Sequence, residues 1–183
     1  MTACSGKNSA VSDLSPIPVS SERKKKIVAA KNILFGTGYF LILDLPQGWG
    51  LTRSYLEPDV HSTVTRERIT WVEAGQADQI VFNPYRKLAL DLMIQIKMGD
   101  HNLLDVKDVQ ISSQGLGMAG GHSASYCFGE VRQGLFRKKT YKTLRLCFYC
   151  PELRHTLYLR FTGICAETDL REIFESLATL ECH

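Results

Sequence analysis

The segment from Leu88 to Met98 constrains the fold of this chain most strongly. Its apolar residues keep a strict period of two: Leu88, Leu90, Leu92, Ile94, Ile96 and Met98. Because successive side chains of a strand point to opposite faces, this spacing places all six on one face of an extended strand. Ala, Leu and Met favour helix locally, but a helix would scatter these positions around its axis. The sequence therefore predicts one long strand.

Shorter apolar segments bounded by Gly, Pro or Asn predict further strands of the same sheet. These segments span residues 39–45, 49–56, 68–72, 80–82, 106–112, 124–131, 143–150 and 156–162. The Pro151-Glu152 turn between the last two predicts an antiparallel hairpin.

Helical spacing is clearest near the C-terminus. Leu170, Ile173, Phe174 and Leu177 fall at i, i+3, i+4 and i+7, which places one apolar stripe against a sheet. Thr168 is the predicted N-cap of this helix, and a second, shorter helix is predicted within residues 22–34. The fold class is therefore α+β, with an antiparallel sheet and a terminal helix.

The length and composition predict one domain behind a tail. The 183 residues are 44% hydrophobic and 22% charged, as in ordinary globular proteins. Residues 1–25 are rich in Ser and other polar residues and reach a basic run at 23–26, so we expect a flexible tail and a single domain over 26–183. The net charge of +3 is compatible with an acidic partner without requiring one.

No export signal or apolar segment of membrane-spanning length is visible in the sequence. We therefore expect a cytoplasmic protein that is not transmembrane, with its six cysteines reduced. Cys147 and Cys150 have the spacing of half a zinc site. On a strand, however, residues three apart face opposite ways, so we interpret them as structural thiols and expect no cofactor and no metal ligand set.

The segment Gly120-Gly121-His122 contains the most interesting single side chain. A histidine at a strand entrance could ligate a metal ion, or it could simply hydrogen-bond the loop. One hypothesis is a metal-binding protein or enzyme that uses His122 with a cysteine or with Cys182-His183. Residues 115–120 match the Gly-x-Gly-x-x-Gly fingerprint, but a strand pattern follows instead of a helix, so we reject nucleotide binding.

A hairpin over residues 132–145 combines cations and aromatics without an acid. Its candidate binding residues are Arg132, Phe136, Arg137, Lys138, Lys139, Tyr141, Lys142 and Arg145. Such a loop could neutralise phosphates while its aromatics stack on bases, or it could serve only solubility. Nucleic acid or an anionic membrane surface is therefore a candidate partner.

Three segments resemble the PsbP-like superfamily, which includes extrinsic photosystem II subunits and Mog-type Ran-binding proteins. They are the Leu-Pro-Gln-Gly-Trp sequence at 45–49, the Gly-Gly-His-Ser-Ala strand entrance at 120–124, and the final helix at 170–182. The resemblance spans residues 33–183 and implies a prokaryotic member with an α/β/α sandwich, an antiparallel sheet covered by helices. It implies binding or assembly more often than catalysis, and it carries over no functional residue.

The leading functional hypothesis is a non-enzymatic binding or adaptor domain. It would engage a protein partner through the sheet face, the basic hairpin, or the loop at Gly120, Gly121 and His122. No Ser-His-Asp order, His-Glu-x-x-His motif or Walker phosphate loop is present, which favours binding over catalysis. The alternatives are binding of an anionic polymer or membrane surface through residues 132–145 and metal binding through His122.

Overall fold

The computed structural model of the chain describes residues 25–32, 36–51, 55–58, 63–64, 69–71, 74–134 and 138–182. Its first six strands are β1 (Lys25–Asn32), β2 (Gly36–Asp44), β3 (Gly50–Leu51), β4 (Tyr55–Pro58), β5 (Thr63–Val64) and β6 (Ile69–Trp71). The remaining elements are β7 (Ala74–Asn83), β8 (Leu88–Met98), β9 (Gln110–Ala119), β10 (His122–Gln133), β11 (Lys139–Cys150), β12 (His155–Gly163), helix α1 (Glu167–Ser176) and a 3₁₀ turn (Leu177–Thr179).

Ten strands form one sheet in the order β2-β1-β4-β7-β8-β12-β11-β10-β9, and β3 also pairs with β7. Its pairings are antiparallel except for β1 with β4, and β5 and β6 form a separate two-stranded sheet. The predicted α+β class and antiparallel sheet are confirmed. Within the described ranges, α1 and the 3₁₀ turn are the helices, so helical cover of the sheet is small.

The long strand predicted at Leu88–Met98 is confirmed as β8. Its even-numbered residues from Leu90 to Ile96 are buried, whereas the neighbours between them are exposed or half-buried. The register places Leu92 opposite Phe161 and Ile94 opposite Leu159 of β12. This cross-strand alignment continues into β11 and β10, so one face of the sheet forms the core.

Two helix predictions are wrong. Residues 25–32, within the helix predicted at 22–34, form β1, because they pair along their length with β2. Helix α1 begins at Glu167 with Ala166 as its N-cap, so Thr168 lies inside the helix. The Asp169 carboxylate takes the capping role, because its Oδ2 accepts the Ala166 N–H at 2.9 Å.

The 3₁₀ turn brings the two ends of the sheet together. It contacts both β9 and β2, which stand at opposite ends of the strand order. Leu177, Leu180 and Cys182 are buried there in the same apolar core as Leu41 and Leu43 of β2. The C-terminal segment therefore connects the two ends of the sheet.

Two predictions concern the chain ends and membranes. The tail predicted for residues 1–25 lies outside the described residues apart from Lys25, which begins β1. In the described part of the chain, no helix is long and apolar enough to cross a membrane.

Candidate metal centre

The turn between β9 and β10 fixes the position of His122. Ala119 and His122 pair across the hairpin and leave only Gly120 and Gly121 in the turn. Both glycines have positive φ, +56° and +80°, the pattern of a type I′ turn that suits the twist of a hairpin. His122 is therefore the first residue of β10, and the motif at 115–120 lies on strand β9 and this turn.

The same turn is held against the C-terminal segment. The Gly120 N–H donates a hydrogen bond to the Leu177 carbonyl at 3.1 Å. A Cβ atom at Gly120 would stand 2.6 Å from the Leu180 carbonyl oxygen, which is too close for any side chain. Close backbone approach at Gly120 thus brings His122 near the residues that follow the 3₁₀ turn.

Strand pairing places His122 beside Cys150. Ala124 pairs with Phe148 in the antiparallel β10–β11 hairpin. Two positions nearer the open end of this hairpin, the same register sets His122 opposite Cys150. The imidazole ring stacks on Phe148 with centroids 5.8 Å apart and an angle of 11° between the planes. His122 and Cys150 therefore share the core-facing side of the sheet.

Cys182 joins this pair from the C-terminal segment. One ligand atom each from His122, Cys150 and Cys182 lies within 4.8 Å of the other two. The cysteines are 0% and 2% exposed, and the His122 side chain is 12% exposed. Around a tetrahedral zinc ion, donor atoms stand roughly 3.3–3.8 Å apart. Shifts of about 1 Å would therefore bring the three donors onto one ion.

Glu152 lies at the edge of this cluster, in the turn at 151–154 that links β11 to β12. Its Oε2 is 3.5 Å from the Cys150 Sγ, which donates to it, and 3.9 Å from the His122 Nε2. The Glu152 side chain is 52% exposed, so it faces solvent while the other three groups are nearly enclosed. The four side chains together comprise two sulfurs, one imidazole nitrogen and one carboxylate.

The Cys182 thiol of the cluster resists ionisation in this setting. Burial, and then the neighbouring Cys150, raise the pKa of Cys182 to about 12. Both the charge of Cys150 and a hydrogen bond with it act in this direction. A bound metal ion would supply the positive charge that thiolates need there, and its binding would release protons.

Cys147 belongs to the opposite face of β11. Its Sγ lies 3.8 Å from the His101 carbonyl oxygen, far from the environment of Cys150, as expected for strand residues three apart. From the sequence, the candidate metal ligands are His122 with an unspecified cysteine or with Cys182-His183. Cys150 is interpreted there, with Cys147, as a structural thiol, and Glu152 is not among the candidate ligands. The signal that could have placed Cys150 beside His122 is the β10–β11 hairpin, because its register sets the two residues opposite each other.

The basic hairpin is only partly a free cationic surface. Arg132, Lys138 and Lys139 are exposed and Tyr141 is half-buried, whereas Phe136 and Arg137 lie outside the described residues. The Lys142 Nζ bonds the Glu130 carboxylate at 2.5 Å. Arg145 is buried on the sheet face. It therefore cannot contribute to an exposed phosphate-binding surface.

Arg145 anchors the segment between β8 and β9. Its guanidinium donates to the Asp105 carbonyl and meets both Asp108 carboxylate oxygens, at 2.8 and 2.9 Å. The hydrogen bond from Arg145 lowers the pKa of Asp108. This pair covers part of the sheet face opposite the core.

No protein-family model, curated protein or solved structure matches this chain. The site is therefore interpreted from its own geometry and chemistry.

Proposed function

We propose that the protein binds a thiophilic divalent metal ion, zinc in the first instance, through His122, Cys150 and Cys182. The observation that supports it is the convergence of the three ligand atoms within 4.8 Å of one another. Cysteine sulfur and histidine nitrogen are the preferred zinc ligands in proteins, and tetrahedral sites use this donor set. The Glu152 carboxylate lies beside two of the three ligand atoms, the Cys150 Sγ and the His122 Nε2.

The origin of the three residues strengthens the proposal. His122 begins β10, Cys150 ends β11, and Cys182 follows the 3₁₀ turn, so three separate elements meet at one point. Two buried thiols can form a hydrogen bond without any metal, and buried cysteines are common in protein cores. An imidazole and a carboxylate beside the same pair of thiols add nitrogen and oxygen donors that zinc also accepts.

Metal content and cobalt spectroscopy test the proposal directly. Protein purified without a histidine tag should contain about one zinc ion per chain when grown with zinc. Apoprotein titrated with Co²⁺ should develop thiolate-to-cobalt charge-transfer bands and tetrahedral d–d absorption, saturating at one equivalent. Cys150→Ser, Cys182→Ser and His122→Gln should each weaken or abolish these bands.

Cys165→Ser is the matched control. Cys165 is a partly buried thiol whose pKa burial raises to about 11, but it lies outside the cluster. This variant should bind cobalt like the wild type. A protein that stays metal-free under several growth conditions, or bands that keep their wild-type intensity in Cys182→Ser, would refute the proposal.

The other functional hypotheses remain predictions from the sequence. Support for an anionic-polymer or membrane-surface function rests on the exposed Arg132, Lys138 and Lys139, since Lys142 and Arg145 bond acidic or carbonyl groups. The adaptor function with a protein partner, the cytoplasmic location, and the PsbP-like sandwich stay predictions as well. Metal binding is compatible with each of them.

A further inference from the structure

Three buried donors leave a tetrahedral ion one ligand short. Structural zinc sites fill all four positions with protein groups, whereas catalytic sites leave the fourth to water. Near this cluster, Glu152 offers the missing donor. Its separation of 3.5 Å from the Cys150 Sγ lies within the roughly 3.3–3.8 Å expected between ligands of one tetrahedral ion, and its separation of 3.9 Å from the His122 Nε2 lies slightly above that range.

The turn after β11 keeps the backbone of Glu152 close to Cys150. Glu152 follows Cys150 by two residues, across Pro151, whose ring fixes its own φ. The turn is closed by the Arg154 N–H, which donates to the Pro151 carbonyl at 3.3 Å, and Arg154 itself has a φ of +55°. The Glu152 backbone is therefore fixed next to the strand end that supplies Cys150, and its carboxylate accepts a hydrogen bond from the Cys150 Sγ.

We propose that Glu152 is the fourth ligand of the metal centre and that its carboxylate makes the centre select Zn²⁺ over Cu(I). This inference rests on the proposed metal-binding function. Cu(I) is a soft ion, and two thiolates with one imidazole suit it without a hard oxygen donor. Zn²⁺ accepts carboxylate oxygen and prefers four ligands. Removing the carboxylate should therefore weaken zinc binding while leaving Cu(I) binding almost unchanged.

Glu152→Gln tests the assignment because it keeps the size of the side chain and removes its charge. The matched control is Glu181→Gln, which makes the same change at an exposed glutamate adjoining Cys182. Affinities of the apoproteins for Zn²⁺ and for Cu(I) would be measured by competition with chromophoric chelators. The unfolding midpoint of each apoprotein in urea would establish that both variants fold.

In Glu152→Gln the zinc dissociation constant should rise at least 10- to 100-fold, the effect typical of losing even an outer-shell partner of a ligand. The Cu(I) dissociation constant should change less than about threefold, since Cu(I) needs only the three softer donors. Glu181→Gln should match the wild type for both metals. The ratio of zinc to copper affinity should therefore fall in the first variant only.

Several outcomes would overturn the assignment. Unchanged zinc affinity in Glu152→Gln would show that water or another group is the fourth ligand. Equal weakening of zinc binding in both variants would show that the loss comes from the general decrease in negative charge. Weakening in Glu181→Gln alone would indicate that Glu181 is the fourth ligand. If the wild type binds neither metal, the proposed function itself fails, which distinguishes that result from failure of the Glu152 assignment.

Discussion

At Gly120 two constraints act on a single backbone position. Its φ of +56° is costly for residues with a side chain, and a Cβ atom would stand 2.6 Å from the Leu180 carbonyl oxygen. Gly121 shares the first constraint, with a φ of +80°, but a Cβ there would meet nothing within 4 Å. A substitution at Gly121 therefore tests backbone strain alone, whereas a substitution at Gly120 tests backbone strain and steric contact together.

Alanine substitution at the two positions should give unequal effects. Gly121→Ala should lower the free energy of unfolding by about 1 kcal/mol, the cost of a left-handed conformation. Gly120→Ala should cost more, roughly 2–4 kcal/mol, because the C-terminal segment must also move. It should also weaken cobalt binding, since His122 is positioned by this turn. Urea denaturation and cobalt titration of both variants measure this, and equal losses would contradict the close approach to Leu180.

Asp108 should contribute stability that depends on pH. The hydrogen bond from Arg145 lowers the pKa of Asp108 in the folded protein, so folding favours the ionised form. A carboxyl group of this kind contributes stability above its unfolded pKa of about 3.9 and loses it as the pH falls through the lower folded pKa. Because Asp108 is 62% exposed, solvent screens the pair and the contribution should not exceed about 1 kcal/mol.

The comparison of wild type with Asp108→Asn tests this pH dependence. The wild type should be more stable at pH 7, and the difference should shrink as the pH is lowered below about 4. Chemical denaturation at a series of pH values measures it. A difference that stays constant down to pH 2 would show that the ionised carboxylate is not the source.

Among the elements, β12 carries the centre of the core. It lies between β8 and β11, and its residues from His155 to Leu159 are buried on both faces. Strand β9 is the contrasting case, because it ends the strand order and leaves Leu116 76% exposed. Position in the sheet, more than residue type, decides what a leucine contributes.

Truncation of one leucine on each strand should show this difference. Leu159→Ala removes a fully buried side chain and should cost about 3 kcal/mol, within the 2–5 kcal/mol usual for core leucines. Leu116→Ala should change the free energy of unfolding by less than about 0.5 kcal/mol. Urea unfolding of the two variants provides the measurement. A large loss for Leu116→Ala would indicate that this face of β9 is covered in solution.

Elements with strong local patterns could be predicted from the sequence, and those determined by pairing could not. Strand β8 has a period-two alternation that places its apolar residues on one face only in an extended strand. Strand β1 contains Ala and Lys, which favour helix, and only its pairing with β2 and β4 makes it a strand. Likewise, the two glycines before His122 predict that it lies at a strand entrance, and His122 is therefore a candidate from the sequence. Its meeting with Cys150 and Cys182 depends on strand register and on the path of the C-terminal segment.

For the molecule as a whole, the C-terminal segment joins the two ends of the sheet. The 3₁₀ turn contacts β9 and β2, and Cys182 extends the same segment into the metal centre. A metal ion bound to His122, Cys150 and Cys182 would therefore hold this closure in place. Its binding energy would add to the stability of the folded state.

Zinc should stabilise the whole molecule by mass action. At a free zinc concentration 100 times the dissociation constant, the gain should be about 2.7 kcal/mol, which for a chain of this size raises the Tm by roughly 5–10 °C. The gain should disappear in Cys182→Ser and persist in Cys165→Ser. Thermal melts in zinc-buffered and chelator-containing solutions measure this. An equal gain in all three proteins would assign the stabilisation to zinc bound elsewhere.

The placement of β12 between β8 and β11 has a consequence for how the chain reaches its native state. Strands β9 to β12 follow one another as sequential hairpins, and so do β7 and β8. The β8–β12 pairing instead joins segments separated by three intervening strands, so its loop-closure entropy is the largest among the strand pairings of the described residues. We expect the β7–β8 hairpin and the β9–β12 hairpins to form early, and the pairing of β8 with β12 to follow slowly. In pulsed hydrogen exchange, the amides of β8 that bond β12 should then gain protection last.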